Sequence, residues 1–185
     1  MNQALLVVDI QNDYFPGGAM ELDGAVQAGE KAAQLLQAFR EQGKPVIHMQ
    51  HVSTRPGATF FLPNTKGLDI HDSVAPRDGE TVFHKNFPNS FRGTPLLDHL
   101  REHDIKSLVI IGMMTQMCID TTTRAAADLG FECSVGHDAC ATRALAFDGV
   151  SVPAAQVQAA FLAALNGSFA KVQSVQQLAG GVSSA

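Results

Sequence analysis

Ala4 to Ile10 (Ala-Leu-Leu-Val-Val-Asp-Ile) is apolar at every position but one. A short continuous apolar run predicts a parallel strand covered on both faces, and its single acid, Asp9, falls near the C-terminal end. The following Gln11 to Gly18 has loop chemistry, after which Leu22, Val26, Ala33, Leu35, Leu36 and Phe39 approximate a helical stripe that Gly43 ends. Pro45 to Val52 predicts a second strand and so a β-α-β unit with a right-handed crossover. Ser53 to Gly79 is rich in Pro and Gly, lacks a period and carries the pair Phe60-Phe61, which predicts a long functional or mobile loop. Thr81 to His84 predicts a short third strand that delivers Lys85, and a loop through Gly93 leads to a helix capped by Thr94 and running to about His103.

The second half repeats the alternation. Ser107 to Ile111 predicts a fourth strand bounded by Gly112, and Ala125 to Leu129 has helix-forming composition, so the chain turns between them and the helix begins near Cys118. Phe131 to Val135 predicts a fifth strand followed by a polar turn from Gly136 to Arg143. A helix over Pro153 to Leu165, a weaker strand over Phe169 to Val172 and a last helical turn over Val175 to Leu178 complete the pattern. The Gly180-Gly181 tail with Ser183-Ser184 is expected to fray. Strands alternating with helices predict a doubly wound α/β sheet in one domain over residues 1–180, with ligands bound beyond the C-terminal ends of the strands.

Composition narrows the function. The 185 residues are 45% hydrophobic and 17% charged, ordinary for a globular chain, and a formal net charge of -5 excludes a basic surface suited to nucleic acid. A small molecule is the expected partner. No run approaches transmembrane length, so no membrane role is expected. The N-terminus lacks the signature of a signal peptide, and three cysteines do not suggest a disulfide framework, which together point to a cytoplasmic location.

Asp9, Lys85 and Cys118 each lie at the C-terminal end of a different predicted strand. A thiol near pKa 8.5 is mostly protonated at neutral pH and needs a base or a positive neighbour to act as a nucleophile. Asp9 offers the first and Lys85 the second, and a helix N-terminus at Cys118 adds free N–H groups and the positive end of the dipole. The combination predicts covalent acyl transfer: Asp9 as proton acceptor, Lys85 orienting it, Cys118 attacking a carbonyl, and the Met114 and Cys118 N–H groups facing the oxyanion. Cys133 and Cys140 have structural readings, Asp138 that of a turn or capping acid, and Met113, Met114 and Met117 that of packing. His48 and His51, three apart on a strand, point to opposite faces and are expected to be structural or on the surface. No histidine follows a zinc spacing, so no catalytic metal and no cofactor is expected.

These residues bring the chain close to a known group. Leu5-Leu6-Val7-Val8-Asp9-Ile10-Gln11-Asn12-Asp13-Tyr14-Phe15, then Val82-Phe83-His84-Lys85 with Ser90-Phe91, then Gly112 to Thr122 with Ala126, Gly130-Phe131 and Asp138-Ala139-Cys140, resemble in order the motifs of the isochorismatase-like cysteine hydrolases. The resemblance implies a six-stranded parallel sheet of order 3-2-1-4-5-6, the triad Asp9, Lys85 and Cys118, and a cis peptide before Met114 with the oxyanion donors converging. It also implies a dimer or tetramer in which a neighbour's loops can close the pocket. By position, Gln11, Phe15, Phe60, Phe61, Ser90, Phe91 and Met114 become candidate pocket walls. Val46 to Thr54 contains no acid, unlike the Asp-x-His metal motif of nicotinamidases, and Cys118 stands where true isochorismatases, which cleave a vinyl ether, lack a nucleophilic cysteine. Hydrolysis of an amide or related C–N bond is therefore favoured, with a vinyl ether hydrolase, a redox-sensing thiol protein and a silent binding module as alternatives. The segment from Asp138 to Ala154 resembles members described only as cysteine hydrolases, including the streptothricin hydrolase type, and assigns no substrate.

Overall fold

In the computed structural model, which describes residues 2–182, the expected sheet is present and all its strands are parallel. Its strands are β1 (Gln3–Val8), β2 (Val46–His51), β3 (Thr81–Lys85), β4 (Ser107–Met113), β5 (Glu132–Ala141) and, after the separate hairpin of β6 (Leu145–Phe147) and β7 (Val150–Val152), β8 (Lys171–Gln173). Their order is β3-β2-β1-β4-β5-β8. The last strand is the sixth that the apolar pattern marks, so the order agrees with the expected 3-2-1-4-5-6. The helices are α1 (Ala25–Glu41), α2 (Leu96–Glu102), α3 (Asp120–Asp128), α4 (Ala154–Leu165) and α5 (Val175–Val182).

Period-two alternation divides β1 between two cores. Leu5 and Val7 pack with Leu35, Leu36 and Phe39 of α1 and with Val175 and Leu178 of α5. Ala4, Leu6 and Val8 pack with Leu96 and Leu100 of α2, Ala126 of α3 and Leu165 of α4. Residues Ala4 to Val8 are at most 2% exposed, which is why this run shows no polar face in the sequence. The reversal of strand order between β1 and β4 opens a crevice at their C-terminal ends, where Asp9 and the turn after Met113 emerge.

Three elements differ from the expectation. The stretch from Gly136 to Ala141 is strand, not turn: after Ile110 pairs with Val135, the ladder resumes with Gly112 against Cys140 across a bulge. Tertiary pairing with β4 overrides the local turn chemistry of Gly136-His137-Asp138. The β6–β7 hairpin was not marked, although Asp148-Gly149 supplies its signal; both residues have positive φ (48° and 76°), as a type I′ turn requires. Helix α5 continues through Gly180 and Gly181 to Val182, and the rest of the expected frayed tail, residues 183–185, lies outside the described residues.

The segment 53–79 is packed down rather than open. It contains 3-10 turns at Lys66–Leu68 and Asp72–Val74 and is tied to the loop after β1. Asp13 accepts from Phe61 N at 2.6 Å and from Ala19 N at 3.1 Å, and Asn12 Nδ2 donates to Lys66 O at 2.9 Å. A Cβ at Gly67 would lie 2.0 Å from Asp13 Oδ1, so only glycine lets the loop approach this carboxylate. Among the described residues no helix is long and apolar enough to cross a membrane.

Candidate active site

Asp9 follows the last residue of β1 in the left-handed region (φ 51°), a conformation that Asp tolerates better than most residues. Its N–H is held by Met49 O at 3.0 Å, and its side chain is fully buried. Lys85 ends β3, one strand beyond β2, and is 1% exposed. Its ammonium lies 2.6 Å from Asp9 Oδ2 and 3.3 Å from Cys118 Sγ. The three residues singled out on three strand ends are thus brought into one cluster.

Cys118 lies in a π-helical turn, Thr115–Ile119, that precedes α3, so the helical winding starts three residues before the cysteine instead of at it. The turn is clamped from β5 and α4. Thr115 Oγ1 donates to Gln158 Oε1 at 2.7 Å and lies 3.2 Å from Ala141 O, and Thr142 Oγ1 donates to Gln116 Oε1. The peptide between Met113 and Met114 is cis, as the resemblance implied. Met117 N and Ile119 N both donate to Met114 O, at 3.1 Å and 3.2 Å.

Electrostatics sharpen the picture of the thiol. Burial pushes Cys118 well above the usual thiol range, and Asp9 raises it further, while Lys85 pulls the other way without prevailing. Burial and Asp9 thus favour the thiol, against the thiolate that a helix start alone suggests. Burial works against the charge on Lys85, but Asp9 and then Cys118 outweigh it and raise its pKa, so the ammonium stays charged. Neither Asp9 oxygen has a hydrogen-bond partner of regular geometry, so the carboxylate is compensated by the Lys85 ion pair and keeps lone pairs open to a thiol proton.

His51, expected to be structural or on the surface, belongs to this cluster. It ends β2 in register with Lys85, and its Nδ1 is 3.3 Å from Lys85 Nζ and 3.9 Å from Asp9 Oδ2. The parallel register brings it in, and position within a single strand does not reveal a partner on the next. His48 does have the structural place expected, buried with Nε2 3.0 Å from Glu80 Oε2. Asp9, His51 and Cys118 offer donor atoms within 4.8 Å of one another, the type of group that can hold a metal. Here Lys85 Nζ, near all three, is already the cation among them.

Cys118 and His51 of this cluster reach a cavity of about 420 Å³, lined also by Tyr14, Phe60, Met114 and Met117 together with residues 53–55, 58 and 86–88. Of the candidate walls, Phe60 and Met114 line it. The others do not, each for a packing reason. Gln11 is fully buried, its Nε2 donating to His51 O at 3.0 Å and Leu68 O at 2.7 Å and its Oε1 accepting from His51 N at 2.8 Å. Phe15 stacks on His71 with centroids 3.5 Å apart. Phe61 is buried behind the wall, edge-on to both Tyr14 and Phe60. Ser90 is locked to Thr122 of α3 at 2.9 Å, and Phe91 packs near Phe131. Tyr14 was missed although it follows Asp13 in the first motif; burial holds its hydroxyl protonated well above the usual range.

Fold and site together define the class: a doubly wound parallel α/β protein with an Asp-Lys-Cys cluster at the switch point of its sheet. The Isochorismatase domain profile matches residues 3–177, and the chain belongs to the isochorismatase family of hydrolases. It is 50% identical to an uncharacterized isochorismatase family protein of Bacillus subtilis (strain 168), over 95% of this chain and 98% of that one. The crystal structure of an Oleispira antarctica protein assigned as an isochorismatase hydrolase superposes with a TM-score of 0.94 at 52% identity, covering 97% of both chains. A streptothricin hydrolase of Streptomyces noursei is 36% identical over 83% of this chain and 61% of its own length.

Proposed function

We propose that the protein hydrolyses the C–N bond of a small amide through a thioester on Cys118. The observation that carries this reading is the contact chain that leads to Cys118 at the cavity, Asp9 Oδ2 to Lys85 Nζ at 2.6 Å and Lys85 Nζ to Cys118 Sγ at 3.3 Å, in residues at most 4% exposed. A buried thiol with a raised pKa needs a base at the moment of attack, and Asp9 is the carboxylate beside it.

In the first half-reaction Asp9 takes the Cys118 proton as sulfur bonds to the carbonyl carbon, and the carbonyl electron pair moves to oxygen. The Met114 and Cys118 N–H groups receive that oxyanion, a role worth about 10²- to 10³-fold in rate per donor. Collapse breaks the C–N bond, and the leaving nitrogen takes the proton from Asp9. In the second half Asp9 takes a proton from water, hydroxide attacks the thioester, the C–S bond breaks and the proton returns to sulfur. Lys85 keeps Asp9 oriented and its charge compensated throughout. The occupant is a small molecule, because the cavity is about 420 Å³. Among the relatives are a nicotinamidase of Escherichia coli (strain K12) and a maleamate amidohydrolase of Pseudomonas putida, whose names denote amide hydrolysis and agree with this chemistry.

Ammonia release from a panel of small primary amides and N-carbamoyl compounds tests the proposal. Cys118→Ala is expected to reduce turnover to background, and intact mass of the wild type quenched during turnover should show an acyl adduct on Cys118. Turnover retained by Cys118→Ala, or an adduct on Cys133 or Cys140, overturns it.

A further inference from the structure

The contacts of His51 bear on which ring nitrogen carries its proton. Lys85 Nζ lies 3.3 Å from His51 Nδ1, and also 3.1 Å from Phe87 O and 3.4 Å from Pro88 O; an ammonium only donates, so a hydrogen bond from it to Nδ1 requires the lone pair there and puts the proton of the neutral ring on Nε2. Nε2 has no partner among the described residues and is not among their buried unpartnered atoms, and the side chain lines the cavity beside Cys118. The backbone beneath it is fixed from both sides by Gln11, which accepts from His51 N and donates to His51 O. We infer that His51 is a specificity-determining residue whose Nε2–H donates a hydrogen bond to an acceptor oxygen of the substrate, selecting small molecules that carry an oxygen on the β2 side of the cavity.

The charges around the ring agree with a fixed neutral donor. Burial, Lys85 and Arg55 oppose a second positive charge on His51, and Asp9 does not offset them, so its pKa lies below the usual imidazole value. The Gln11 clamp also explains why this glutamine, fully buried in the first motif, is a positioning residue and not a wall. Because turnover is used as one readout, the inference leans on the amidase reading above, and the experiment separates the two.

His51→Asn places an oxygen near the position of Nδ1 and keeps an acceptor for Lys85, but its amide N–H falls short of the position of Nε2. His51→Gln places an N–H near Nε2. The probes are iodoacetamide, whose carbonyl is an acceptor, and allyl bromide, of similar size and without one; in both the Cys118 sulfur displaces halide. The ratio of their Cys118 alkylation rates should fall roughly tenfold in His51→Asn, about the worth of one lost hydrogen bond, and recover in His51→Gln. Equal ratios in all three proteins, or equal falls in both variants, overturn the inference. Nitrogen NMR of the wild type provides a second check: an Nδ1–H tautomer at His51 also overturns it. If the ratio depends on His51 while the wild type hydrolyses no amide in the panel, the amidase reading fails and the donor stands.

Discussion

Cys118 shows how opposing contributions at one atom set its chemistry. Its burial and the Asp9 carboxylate both raise the thiol pKa, whereas Lys85 lowers it. Asp9→Asn removes one of the raising contributions and leaves the lowering one, so the midpoint of Cys118 alkylation should move to lower pH than in the wild type. The same substitution removes the proton acceptor, so amide turnover should fall by about 10²- to 10⁴-fold. Opposite movements of alkylation and turnover identify Asp9 as the base; a midpoint that rises, or turnover that persists, shows that another group takes the proton. The residue types at this site were legible in the chain, since a carboxylate, a lysine and a cysteine ended three apolar runs. His51 was not, because its role depends on a contact with Lys85 across two strands. Gln11, Phe15, Phe61, Ser90 and Phe91 were placed at the cavity by motif position, and their contacts with neighbouring loops and with α3 turn them elsewhere.

The elements that carry these residues depend on close approach between β1 and β4. Val8 pairs with Gly112, whose φ is 135°, and a Cβ there would lie 1.9 Å from Val8 O. Backbone cannot move aside as a side chain can, so Gly112→Ala should destabilise the fold by roughly 3 kcal/mol or more. Urea unfolding measures this, and a loss below about 1 kcal/mol would contradict the geometry. Apolar periodicity located all six sheet strands because each is covered on one or both faces by helices. It failed for residues 136–141, where a small, polar stretch is strand only because β4 lies beside it. The hairpin at Asp148-Gly149 was a different failure, of turn chemistry left unread.

Across the molecule, Glu80 joins three parts of the chain ahead of the strand that delivers Lys85. It pairs with Arg40 of α1 at 2.6 Å, meets His48 of β2 at 3.0 Å and accepts from Arg77 N at 2.9 Å. Burial alone would raise its pKa, but Arg40, Arg77 N and His48 together hold it down to about 2 from an ordinary 4.5. A depressed carboxylate stabilises the fold above its unfolded pKa, and that stability is lost as pH falls through the folded value. Glu80→Gln should therefore be less stable than the wild type near neutral pH, by on the order of 2 kcal/mol for a partly solvated group. The gap should close between about pH 4.5 and pH 2. Chemical denaturation at both ends of that window checks it, and a gap constant with pH would show that Glu80 acts by packing alone.

Local chemistry along the chain was enough to place the parallel strands, the long loop after β2, and Asp9, Lys85 and Cys118 at strand ends, because burial on one or both faces leaves apolar runs and active chemistry breaks them. Whether Cys118 rests as thiol or thiolate, which aromatic residues face the cavity, and that His51 joins Lys85 were set by folding. Each depends on distances between segments tens of residues apart, and on how fully neighbouring layers exclude water from the groups between them.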